Sequence, residues 1–97
     1  MSLKLLDGSG AVIGEIAVAA EDSVVLGDFL PAPAFSVYKS LFEKHGQAAN
    51  DQLLIEVDRL EEEIDSSGFY VIDTCRGLKK RIIDLQIMDG GISFRWV

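Results

Sequence analysis

Alternation of apolar and polar residues is cleanest at the end of the chain. Residues 82–88 read Ile-Ile-Asp-Leu-Gln-Ile-Met, residues 89–91 are Asp-Gly-Gly, and residues 92–97 read Ile-Ser-Phe-Arg-Trp-Val. Period-two patterning on both sides of an Asp-Gly pair predicts a β-hairpin with a type I′ turn at Asp89-Gly90. In that register Ile87 faces Ile92, Leu85 faces Phe94 and Ile83 faces Trp96. On the other face Gln86 meets Ser93 and Asp84 meets Arg95, an opposite-charge pair. A turn at Gly90-Gly91 keeps the faces but loses the Asp84–Arg95 match, so it ranks second.

The start of the chain carries a weaker version of the same pattern. Residues 4–7 and 11–19 are short apolar runs around Gly8-Ser9-Gly10 and predict a hairpin with a loop longer than two residues. Val12, Ile16 and Val18 share one parity, Ile13 breaks it, and Gly14 sits mid-strand, where a glycine marks a bulge or a close backbone approach. A brief third strand is expected at 24–26.

The period changes after Gly27. Pro31 and Pro33 are expected to end sheet pairing and to open a helix from Pro33 to about His45. Ala34, Phe35, Tyr38, Leu41 and Phe42 form its apolar stripe, and Gly46 reads as its left-handed stop. A second helix is expected from Asn50 or Asp51, capped by either side chain. Its core seam is Leu53, Val57, Leu60 and Ile64, with Leu54 at the edge, and Ser66-Ser67-Gly68 ends it. Residues 69–73 predict a fourth strand and 74–80 a loop into the closing hairpin. The expectation is one α+β domain spanning residues 1–97. Its order is βββααβββ, an antiparallel sheet with two helices packed on one face and a polar sheet face toward solvent.

The segment Gly27-Asp28-Phe29-Leu30-Pro31-Ala32-Pro33-Ala34-Phe35, followed by an amphipathic helix, resembles small uncharacterised bacterial α+β proteins. Those carry a Gly-x-Phe-x-Pro segment after an N-terminal hairpin. The resemblance spans about residues 11–45 and implies a compact bacterial domain, with no activity attached.

Composition narrows the function classes. The chain has 97 residues, 48% of them hydrophobic and 26% charged, a globular composition, and its mean hydropathy of +0.23 leaves room for apolar surface covered by another chain. Sixteen acidic residues against nine basic ones give a net charge of −7, which argues against nucleic acid and anionic membrane; it leaves room for a basic protein partner, although solubility alone is the commoner reason for such charge. No stretch reads as a signal peptide or bilayer span, so cytoplasm is the expected location. The single cysteine excludes an internal disulfide.

Four groups of residues invite a chemical reading. Cys75 and Arg81 have the spacing of a Cys-x5-Arg phosphate loop, but Arg81 leads into a predicted strand where such a loop needs a helix N-terminus. They define the alternative reading, a small enzyme or anion-binding domain. His45, the lone histidine, excludes a histidine-pair metal site and reads as a helix C-terminal cap. Arg76, Lys79, Lys80 and Arg81 form a basic cluster with no interleaved aromatics. Glu61, Glu62, Glu63 and Asp65 crowd the end of the second helix, where the helix dipole prefers cations. On that helix Asp51, Asp58 and Glu62 surround Ile55 on the face opposite the seam. The reading that emerges is a non-enzymatic interaction protein, acidic and of inhibitor or immunity type. It binds a basic partner through Asp51, Ile55, Asp58 and Glu62, and no cofactor or metal is expected. Monomer and homodimer both stay open, the latter pairing through a sheet edge or the Trp96-bearing end.

Overall fold

The computed structural model describes residues 2–88 and 90–97. Among the described residues there are six strands: β1 (Ser2–Leu6), β2 (Val12–Glu21), β3 (Val25–Pro31), β4 (Tyr70–Asp73), β5 (Lys79–Met88) and β6 (Gly91–Trp96). Between β3 and β4 lie a 3-10 turn (Pro33–Val37) and two helices, α1 (Lys39–Asn50) and α2 (Leu54–Ser66).

The strands do not form an open sheet covered on one face by helices. They close into an antiparallel barrel of order β1-β2-β3-β6-β5-β4, with β4 pairing back onto β1. Bulges make the closure possible, because each adds an unpaired residue that bends the strand and raises its twist. Three are present. Ile13 is the extra residue between the Leu5–Gly14 and Leu6–Val12 pairs. Ala19 is the extra residue opposite Gly27 and Leu26. Asp84 and Leu85 together oppose Phe94. The blurred parity of the N-terminal hairpin is the first of these, since Ile13 and Ile16 are both fully buried. Gly14 is a close approach as well, because a Cβ there would stand 2.5 Å from the Phe29 ring and 2.6 Å from the Leu30 carbonyl oxygen.

The closing hairpin follows its predicted register only near the turn. Ile87 faces Ile92 and Gln86 faces Ser93, but past the bulge Ile83 pairs with Arg95 and Ile82 with Trp96. Ile82 is therefore buried and Ile83 exposed. Asp84, with φ of 55°, takes the left-handed conformation at the bulge, and its Oδ2 still lies 3.6 Å from Arg95 Nη1. The predicted turn residue Asp89 lies outside the described residues.

The third strand, expected to end at residue 26, runs on through Pro31. Pro31 is tolerated as the last residue of β3, opposite Gly14. Pro33 does begin helical backbone, but as a 3-10 turn that passes into α1. The predicted stripe faces inward, with Phe42 buried and Ala34, Phe35, Tyr38 and Leu41 packed against the core. Helix α1 runs through Gly46 to Asn50. Gly46 serves there as a gap for Met88, whose Cε would stand 3.2 Å from a Cβ. The real stop is Gln52 at φ 57°. Leu53 N–H donates to the Ala48 carbonyl (3.0 Å) and Gln52 N–H to that of Ala49 (3.2 Å), the paired bonds of a Schellman terminus.

A single hydrophobic cluster joins strand residues such as Leu5, Ile16, Val71 and Phe94 to Phe42 of α1 and Ile64 of α2. Phe69 bridges the two sets, its ring 4.9 Å from that of Tyr38 and 5.7 Å from that of Phe42. Helices α1 and α2 pack on each other and both contact β5. At the start of the β1–β2 loop, the buried Asp7 carboxylate accepts from Ser9 N–H (3.0 Å), Ser9 Oγ (2.6 Å), Ala11 N–H (3.1 Å) and Tyr38 Oη (2.7 Å). The Ser9 hydroxyl foremost, then Tyr38, holds the Asp7 carboxyl below its usual value, and the same Asp7 bond raises the Tyr38 phenol.

Candidate functional site

The α1–α2 corner combines apolar exposure with uncompensated charge. Helix α2 starts at Leu54, with Leu53 before it, and no side chain caps its N-terminus. Leu53, Leu54 and Ile55 are 52%, 72% and 89% exposed. Single exposed aliphatics are commonplace, but three in succession at one corner form a patch. They line one wall of an open groove of ≈ 890 Å³, whose other wall is Glu43, Lys44, Gln47 and Ala48 of α1.

Acids border the patch on α2, while Lys44 is the one cation lining the groove among the described residues. Helix α2 carries six carboxylates and one arginine. Arg59 engages Glu56 and lies 3.9 Å from Glu63, and Glu56 is held below its usual value by that arginine. Among the described residues no cation comes within 4 Å of Asp58 or Glu62. Near the helix end, burial first and then Asp84 and Glu61 raise the Asp65 carboxyl. Ile55, Asp58 and Glu62, spaced by three and four residues, share one outward helix face. Asp51 does not belong to it. It is the C-terminal cap of α1, accepting from Gln47 Nε2 at 3.3 Å, because Gln52 interrupts the helical path that would have aligned it. The leucines take its place: Leu53 was expected in the core, but the later helix start leaves the seam to Leu60 and Ile64.

His45 is not a terminal cap, since α1 continues beyond it. It is buried between the helices with Nε2 3.3 Å from Glu61 Oε1, which gives one member of the acidic run a structural role.

The chain matches no family model, no curated protein and no solved structure. Any functional reading therefore rests on this chain's own chemistry.

The second charged surface is the β4–β5 corner. Arg76, Leu78, Lys79, Lys80 and Arg81 are all exposed there, and among the described residues no carboxylate lies within 4 Å of the four cations. Aromatics do accompany them, brought by pairing from distant sequence. Lys79 Nζ sits 4.2 Å from the centre of the Tyr70 ring and Lys80 Nζ 4.8 Å from that of Trp96. Cys75 is exposed on the connecting turn. The Asp73 carboxylate accepts from the N–H groups of Cys75 (2.9 Å) and Arg76 (3.3 Å). Two amides that a phosphate loop would aim at its anion are thus already occupied, and Arg81 continues into strand, opposite Tyr70. Apart from both corners, a hollow of ≈ 550 Å³ is lined by Phe29, Phe35 and Phe42 and edged by Lys39, Gln47 and Asn50. No helix among the described residues is long and apolar enough to cross a membrane.

Proposed function

We propose that the protein is a non-enzymatic, cytoplasmic binding protein of the acidic inhibitor or immunity type. It docks a basic protein segment on the outward face of α2. The observation that carries this reading is the run of Leu53, Leu54 and Ile55 beside the uncompensated Asp58 and Glu62. Apolar side chains at the centre of such a contact supply most of its free energy by leaving water. The surrounding carboxylates select a cationic partner and speed its approach. Catalysis asks instead for convergent polar groups in a recess, and the acids on this face diverge from a helix into solvent.

A fluorescently labelled amphipathic helix of leucine and lysine is a suitable probe. Its binding should weaken as salt rises and should be lost on Asp58→Lys/Glu62→Lys. Binding that is unchanged in this double variant would remove the reading.

A further inference from the structure

The chain carries, on separate elements, both halves of one complementary contact. The face of α2 presents an exposed isoleucine flanked by two carboxylates, Asp58 and Glu62, that have no cation within 4 Å among the described residues. The β4–β5 corner presents an exposed leucine, Leu78 (50% exposed), within a run of cations that have no carboxylate within 4 Å among the described residues. Each is an apolar centre in a charged rim, and the rims have opposite sign.

From this pairing we infer that the partner docked on α2 is a second copy of the same chain, presenting its β4–β5 corner. The inference rests on the α2 face being a docking surface and names its occupant. In the contact, Leu78 of one copy packs against Leu54 and Ile55 of the other, while Arg76, Lys79 and Arg81 meet Asp58 and Glu62. Barrel closure leaves the described strands without a free sheet edge, so strand addition between copies is not the route.

Net charge sets the conditions. Each copy bears −7, so at very low ionic strength the copies repel as whole molecules. Interactions between exposed charges decay over about 8 Å at physiological salt and about 3 Å at 1 M. Long-range repulsion is therefore suppressed at intermediate salt while ion pairs in contact persist, and association should peak there. A contact centred on three apolar side chains and a few ion pairs falls in the weak, transient class, and an affinity of about 0.1–1 mM corresponds to only about 4–5.5 kcal/mol.

Charge exchange between two variants is the test. Variant one carries Lys79→Glu and Arg81→Glu; variant two carries Asp58→Lys and Glu62→Lys. Sedimentation should show the wild type self-associating near 150 mM salt and each variant alone remaining at monomer mass. The mixture should recover association, because variant one retains a native α2 face and variant two a native basic corner. All substituted side chains are exposed, and circular dichroism confirms that each variant folds. A wild type at monomer mass at ~1 mM, or a mixture that fails to associate, overturns the inference. If the leucine–lysine peptide still binds the wild type in that case, the α2 face stands as a docking site and only its occupant is wrong. If the peptide also fails, both fall together.

Discussion

Replacing Ile55 separates a docking residue from a folding residue. Its side chain is 89% exposed, so Ile55→Ala removes almost no buried surface from the free protein. Alanine also suits a helix better than isoleucine. Thermal or denaturant unfolding should therefore move by less than ~0.5 kcal/mol. In a complex that covers the side chain, the same change removes three carbon groups at about 0.8 kcal/mol each, or up to ~2.4 kcal/mol. At about 1.4 kcal/mol per factor of ten, with partial burial allowed for, binding of the basic peptide should weaken roughly 10- to 50-fold. Leu60, on the opposite side of the helix and 2% exposed, supplies the contrast. Leu60→Ala should cost about 2–5 kcal/mol of stability. Fluorescence anisotropy with the labelled peptide measures the first effect and urea unfolding the second. An Ile55→Ala protein that binds within twofold of wild type, or that unfolds as early as Leu60→Ala, would refute the reasoning.

Other substitutions probe the scaffold. Asp7→Ala should cost about 2–3 kcal/mol by stranding the Tyr38 hydroxyl and the Ser9 and Ala11 amides, measured by urea unfolding. The wild-type Asp7 carboxyl titrates below its ordinary 3.8, so its contribution is fully present above that value and is lost as pH falls through the lower folded value. Asp7→Ala should accordingly lose its deficit relative to wild type in strong acid. Gln52→Gly should raise stability by about 0.5–1 kcal/mol, because φ of 57° strains any side chain but suits glycine; a lower melting temperature would contradict the Schellman assignment. Gly27→Ala should destabilise by at least ~1–3 kcal/mol, since its Cβ would be forced against the Ala17 carbonyl oxygen, and a neutral result would mean that β2 and β3 are not so closely paired.

The sequence displays apolar spacing well and curvature poorly. The Ile87–Ile92 pairing, the helical stripe from Ala34 to Phe42 and the buried Leu60 and Ile64 follow directly from periodicity. Barrel closure does not, because it depends on β1 meeting β4 across more than sixty residues, a pairing that leaves no local pattern. Its traces were the parity break at Ile13 and the paired apolar residues Ile82-Ile83, because the bulges at Ile13 and at Asp84-Leu85 shift the inward face. Gly46 misled for a related reason: an internal helical glycine that admits Met88 looks the same in sequence as a terminal one. At the candidate site, Ile55, Asp58 and Glu62 could be found from a helical wheel. Leu53 and Leu54 could not, because their exposure follows from the left-handed turn at Gln52, a residue with no special preference for it. The aromatic neighbours of Lys79 and Lys80 come from β4 and β6, which only strand pairing brings to the corner.

Amide chemical-shift mapping on addition of the leucine–lysine peptide tests the docking surface most directly. Docking on α2 predicts shifts concentrated at Leu53, Leu54, Ile55, Asp58 and Glu62, with the β1–β2 loop around Asp7 unmoved. Shifts confined to the Phe29–Phe35–Phe42 hollow or to the β4–β5 corner, with α2 silent, would contradict it.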